Sequence, residues 1–202
     1  MAFTIASDSG ALIVSLSDAK KHLKVEHTDD DALITALIHA AREKIESYTN
    51  LAITLKTVNE YFDEFPTMTE QRPDAEFLLS VNKVNSITSI QYFDGQDTDV
   101  LTTVPANEYI MDNVSKFARV SPRIGKVWPL EDGRVNGVKI IYEAGYSLVA
   151  DIPKQIIQAA LLTIGDWYER REDRLYQNQT TGFIVPKVSE MLLKPYRIYQ
   201  WT

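Results

Sequence analysis

The sequence predicts an α+β fold: a helical bundle made from the two ends of the chain, with an antiparallel β domain inserted between them. Three observations carry this reading. Apolar residues recur at helical spacing in residues 15–50 and again in 151–195. Residues 53–146 instead alternate, are rich in β-branched side chains and are broken by turn signals. Pro66, Pro73, Pro105, Pro122 and Pro129 punctuate that middle and argue against long central strands. The expected organisation is a helical core from residues 12–50 and 151–195, an inserted β domain over 51–150, and a C-terminal arm over 196–202.

Each element has its own warrant. Ser15 suits an N-cap, with Asp18 three positions later as a capping-box partner, and Leu16, Ala19 and Leu23 share one face of the short helix that follows. A second start is expected at Thr28, with Asp31 three residues on. Asp29, Asp30 and Asp31 complement the positive end of the helix dipole there. Leu33, Leu37, Ala41, Ile45 and Tyr48, widened by Ile34 and Ile38, predict one long amphipathic helix over 28–50. Asn50 is its stop. Strands are expected at 53–61, 77–81 and 86–93, the last ended by the turn Asp94-Gly95, and near 108–112, 116–121 and 137–144.

The chain then returns to helix. Asp151 is expected to cap it, with Pro153 in the first turn. Ile157, Ala160, Leu161, Ile164 and Tyr168 form the expected buried stripe. Gly165 costs about 1 kcal/mol against alanine inside a helix, so close packing against another helix is expected at that point. Residues 173–186 read as a loop, 187–194 as a last short helix, and Pro195 as its end.

Composition narrows the function. The 202-residue chain is 45% hydrophobic and carries a net charge of -7. That share suits a globular core. The charge disfavours a protein built to neutralise DNA phosphates. It is distributed unevenly: residues 1–50 sum to -3 (five basic, eight acidic), 51–150 to -5 (nine, fourteen) and 151–202 to +1 (seven, six). The chain contains no cysteine, which excludes disulfides, thiolate catalysis and Cys-based zinc sites. Neither a signal peptide nor an apolar run of membrane-spanning length is visible.

No residue cluster predicts catalysis, a metal or a cofactor. Three consecutive acids, Asp29 to Asp31, point in different directions on a helix and do not converge on one ion. The stretch Asp94 to Asp99 lacks the spacing and late bidentate Glu of a calcium loop, so it reads as a hairpin turn. His22, His27 and His39 have no nucleophile motif beside them, and there is no Gly-rich phosphate loop. Arg170, Arg171 and Arg174 alternate with Glu169, Glu172 and Asp173. They read as a salt-bridged helix end or, with Trp167, as a contact between subunits, with DNA contact as the other reading. Tyr196, Tyr199 and Trp201 close the chain and suit equally a fold-back onto the core or docking on a partner.

The order of these segments resembles the head–tail connector, or head-completion adaptor, proteins of long-tailed bacteriophages and related prophage particles. The resemblance rests on the Ser-Leu-Ser-Asp-Ala-Lys-Lys-His-Leu start at Ser15, the acidic triplet opening the second helix, and the run Ala41 to Thr49. Val84-Asn85-Ser86-Ile87 leading to Tyr92-Phe93-Asp94-Gly95 follows, then Trp128-Pro129 and Ile141-Tyr142-Glu143-Ala144-Gly145-Tyr146. Trp167 to Glu172 and the closing Leu-Leu-Lys-Pro-Tyr-Arg complete it, so that it spans residues 12–197.

The resemblance implies a structural protein rather than an enzyme. It implies a homo-oligomeric ring, twelvefold to match the portal, that extends the DNA channel and offers a platform for the next neck or tail protein. Genomic DNA would pass without sequence-specific binding. The protein would act in the virion neck after assembly in the host cytoplasm. The final arm would reach the portal through Pro195, Tyr196, Arg197, Ile198, Tyr199 and Trp201. The alternative reading is a nucleic-acid-binding module of a packaging machine, which the acidic balance disfavours.

Overall fold

The computed structural model describes residues 2–67, 75–95, 100–115, 117–170 and 188–198. They form two compact units. The β unit draws on residues 2–9, 54–146 and 198, and the helical unit on residues 10–53 and 147–197.

In the β unit, β1 (Ala2–Asp8), β2 (Lys56–Phe62), β4 (Val84–Phe93), β5 (Leu101–Thr103) and β8 (Val138–Ala144) build a five-stranded sheet in the order β1-β2-β8-β4-β5. A three-stranded sheet takes β3 (Phe77–Leu78), β7 (Arg119–Pro122) and β6 (Tyr109–Asp112) in the order β3-β7-β6. Every strand pairing in both sheets is antiparallel, as the alternating sequence predicts. Strand β2 shows why: Lys56, Val58, Glu60 and Phe62 face inward and the residues between them do not. Lys56 tolerates the inner face because its ammonium meets Asp8 at 3.3 Å.

The aromatic core of this unit gathers residues far apart in sequence. Phe65 stacks on Trp128 at 5.2 Å between centroids, and Phe77 meets both Phe62 at 4.6 Å and Trp128 at 5.4 Å. Trp128, half-buried at the edge of this cluster, satisfies its indole N–H on the Ala75 carbonyl at 2.7 Å.

Several expectations are corrected here. Prolines do not preclude long strands: β4 runs ten residues between β8 and β5, because the prolines fall outside it and two register shifts bend it to fit. The strand expected over 77–81 is paired at Phe77 and Leu78, the Leu79 N–H still bonds the Ala118 carbonyl at 3.0 Å, and it ends there because the Ser80 N–H is taken by Glu60. Strands β1 and β5 were not expected at all.

In the helical unit, α1 (Leu16–Leu23) begins as predicted. Ser15 Oγ accepts from the Asp18 N–H at 3.1 Å and donates to Asp18 Oδ2 at 2.7 Å. Helix α2 spans Asp31–Thr49 and starts three residues later than expected, with Asp30 as an N-cap whose side chain makes no cap bond. Asn50, in the left-handed region at φ 57°, ends it as predicted. Its buried stripe is Ile34, Ile38, Ala41 and Ile45, while Leu33, Leu37 and Tyr48 sit on the flank, so the face is rotated from the one anticipated.

Helix α3 spans Lys154–Glu169 after a 3-10 turn over Val149–Asp151. Asp151 closes that turn instead of capping α3, whose N-cap is Pro153. The α3 core residues are Ile156, Ala159, Ala160, Thr163 and Ile164. Of the expected stripe, Ala160 and Ile164 are buried and Ile157, Leu161 and Tyr168 half-buried. At Gly165 an added Cβ would lie 3.6 Å from His22 Nε2, so α1 approaches α3 there as the glycine suggested. Helix α4 spans Val188–Leu193 and runs into a 3-10 turn, Lys194–Tyr196, that contains Pro195. The loop expected over 173–186 lies outside the described residues.

Candidate functional site

The sequence motifs that carried the resemblance fall mostly into structural roles. Val84-Asn85-Ser86 and Ala144-Gly145-Tyr146 meet at one corner of the β unit. The Asn85 amide donates to the Gly145 carbonyl at 2.8 Å, and the Gly145 N–H reaches the Lys83 carbonyl at 2.9 Å. Gly145, at φ 115°, lies so close to Thr54 that a Cβ would fall 2.1 Å from its carbonyl oxygen. Tyr142 is fully buried and donates to Glu60 Oε2 at 2.8 Å.

Glu60 is the one acid at 0% exposure among the described residues. It accepts from the Ser80 N–H at 3.1 Å and the Ser80 hydroxyl at 2.5 Å as well as from Tyr142. Burial raises its pKa above the ordinary glutamate value against the pull of those donors, and burial with the nearby Glu60 charge raises that of Tyr142. Every donor is accounted for and the group faces no solvent, so it holds strands together and does not form a reactive centre. Among the described residues no group of three His, Asp or Glu is placed to hold a metal, and no helix is long and apolar enough to cross a membrane.

Asp31 lies in the first turn of α2 and Asp30 at its N-cap position, where acids complement the dipole as expected, and both also serve packing. Asp31 takes the Lys20 ammonium at 2.6 Å, tying α1 to α2. Asp30 accepts from the Tyr168 hydroxyl at 2.6 Å, tying the start of α2 to the end of α3. The same end of α3 carries the residues expected at a subunit contact. Trp167 is half-buried under the Lys44 ammonium, 5.2 Å from its ring centroid. Arg170 is exposed and lies 3.8 Å from Asp166. Arg171 and Arg174 lie outside the described residues.

The expected C-terminal arm packs in part on its own chain. Pro195 and Tyr196 sit in the 3-10 turn, the Arg197 guanidinium stacks 4.7 Å over Tyr48, and Ile198 is 5% exposed. Arg197 and Ile198 thus find cover within the chain, whereas Pro195 is exposed and Tyr196 half-buried. Tyr199 and Trp201 lie outside the described residues.

Exposed apolar residues occur in both units, and those of the β unit include an edge strand. Phe3 and Ile5 of β1 are 48% and 49% exposed. The segment after β7 exposes Ile124, Val127 and Leu130 around half-buried Trp128. The Phe3/Ile5 alternation could have revealed β1, but it spans only two apolar positions among small residues.

The model of the phage gp6-like head–tail connector protein family matches residues 13–103. That span holds α1, α2 and the first strands of the insertion. Solved structures match over the full chain. A chain in the neck of an empty GTA particle resolved with C6 symmetry superposes with a TM-score of 0.78 at 18% identity, covering 100% of this chain and 98% of its own. A chain from the virion of a native gene transfer agent particle gives the same values. A chain in the neck of a native GTA particle resolved with C12 symmetry gives a TM-score of 0.74 at 20% identity, again covering 100% and 98%. The chain therefore has the fold of these neck proteins from end to end. No curated protein is significantly similar to it in sequence.

Proposed function

We propose that this chain is a structural subunit of the head–tail connector of a phage-like particle. In this reading copies of it form a ring at the neck, beneath the portal, that continues the DNA channel and receives the next neck or tail protein. The observation that carries the reading is the agreement of two independent likenesses. A connector family matches residues 13–103 in sequence, and neck chains match the whole fold at TM-scores up to 0.78. The role asks for shape and surface and not for chemistry, which suits a chain whose buried polar groups are spent on packing.

Charge supports a passive channel. Each subunit carries -7, so a ring of copies surrounds the DNA path with net negative potential, which repels phosphates and lets the duplex slide. Twelve copies, by analogy with the C12 neck, is the expected stoichiometry, with the portal on one side and a neck-completion protein on the other. The test is particle composition. DNA-filled heads purified from a producing host should contain the protein in a fixed ratio to the portal. Heads from a strain lacking it should leak DNA and carry no tails. A protein absent from heads, or one binding duplex DNA with sub-micromolar affinity at moderate salt, overturns the reading.

A further inference from the structure

We infer that the two open edges of the five-stranded sheet, β1 and β5, pair with each other between neighbouring copies of this chain. The inference rests on the ring reading above and names the surface that would close the ring.

Strand β1 is a long edge with only partial protection. Natural edge strands carry lysine, proline, inward charge, β-bulges or very short length to prevent strand addition. Strand β1 is seven residues long, and all seven are exposed. It contains no lysine or proline, and its single charge, Asp8, is already engaged by Lys56 at 3.3 Å. One bulge, between Ile5 and Ser7, protects its second half and leaves Ala2 to Ile5 as a regular run.

The register shows that β1 carries the core face past its cover. Phe3 stands opposite Glu60 and Ile5 opposite Val58. Directly paired residues point to the same side of a sheet. Glu60 and Val58 are both 0% exposed, yet Phe3 and Ile5 on that same face are half-exposed. Among the described residues the apolar layer thus continues one strand further than its cover.

The other edge, β5, is only three residues long and followed by Pro105, which limits the pairing to a short ladder, but it matches β1 in charge and sense. A ring needs a heterologous contact, in which two different patches of one subunit meet in turn. The sheet order places β5 at the far side from β1, and four antiparallel steps separate them, so the two edges run in the same direction. Residues 2–7 and 100–107 carry no charged side chain in a chain whose net charge is -7. Like-charged copies repel least where such neutral strips meet. Val100 and Leu101 add exposed apolar surface beside β5. Strand addition then supplies main-chain hydrogen bonds, and Phe3 and Ile5 gain cover from the neighbour.

Engineered thiols test this without background, because the chain has no cysteine. Thr4 pairs with Asn59 and Thr103 with Gln91, which places both on the sheet face opposite Phe3 and Ile5, and both are exposed. Full-length T4C, T103C and T4C/T103C proteins are oxidised on purified heads, with T4C/L101C as the register-shifted partner. One of the two double variants should give a covalent ladder up to ring size, and the single variants should stay monomeric on non-reducing gels. A dimer from T4C alone means two-fold β1–β1 pairing and overturns the inference. A ring visible on the heads with no ladder from either double variant also overturns it while leaving the ring reading intact. Wild-type protein absent from heads overturns both. As a second measurement, Ile5→Lys should abolish ring assembly while leaving the unfolding midpoint of the free subunit unchanged. A ring that forms normally with Ile5→Lys counts against the edge pairing.

Discussion

Tyr142 and Glu60 meet in the core of the β unit, the phenol donating to the carboxyl Oε2 at 2.8 Å across neighbouring strands β8 and β2. Removing the hydroxyl with Tyr142→Phe takes one donor from a buried acid, which should cost about 1–3 kcal/mol in denaturant unfolding. An unchanged midpoint would mean that the bond is not formed in solution.

The same pair gives the β unit a pH signature. Burial raises the Glu60 pKa above its ordinary 4.5, so the native state holds this proton more tightly than the unfolded chain. Its contribution to stability is fully present below pH 4.5 and is lost as pH rises through the folded value. Wild type should therefore lose stability relative to Glu60→Gln from acid to neutral pH. A relative gain over that window would show that the Ser80 and Tyr142 donors outweigh burial.

Two glycines should respond in opposite directions. At Gly165 a Cβ meets only an ordinary contact, 3.6 Å from His22, with helical backbone around it. Gly165→Ala should stabilise the helical unit by up to about 1 kcal/mol. At Gly145 the Cβ falls 2.1 Å from the Thr54 carbonyl at φ 115°. Gly145→Ala should cost about 3 kcal/mol or more, since strain and a backbone clash add. Thermal unfolding of the two variants decides both.

The Asp30–Tyr168 bond, at 2.6 Å, links positions that the sequence reading treated separately. A double-mutant cycle of Asp30→Ala and Tyr168→Phe should give a coupling of about 0.5–3 kcal/mol. Zero coupling would return Asp30 to a purely dipolar role at the α2 start.

What was legible in the sequence depended on how local its cause was. The Ser15/Asp18 cap, the Asn50 stop and the alternation of β2 are set by neighbouring residues, and each is read correctly. Sequence displays the dipolar placement of the acidic triplet because that is local, but not that Asp30 and Asp31 also bond Tyr168 and Lys20 from other helices. The α2 and α3 stripes were placed on a neighbouring face because both helices have apolar residues on more than one side, and only packing selects among them. Strands β1 and β5 were missed because each is too short in apolar residues to alternate visibly; the sheet, and not the strand, defines them.

The end of the chain separates packing from docking. Ile198 is 5% exposed and Arg197 covers Tyr48, so these two residues belong to the fold. Burying an isoleucine contributes about 1.5–3 kcal/mol. Truncation after Lys194 should therefore lower stability by about 2 kcal/mol or more, and its failure to join heads would say nothing about docking. Truncation after Ile198 keeps every described contact and removes only Tyr199 to Thr202. That protein should unfold with the wild-type midpoint. If the final residues reach the portal, it should also fail to enter DNA-filled heads. Full incorporation of the shorter chain would remove Tyr199 and Trp201 from the portal contact, while a lowered midpoint would place them in the fold with Ile198.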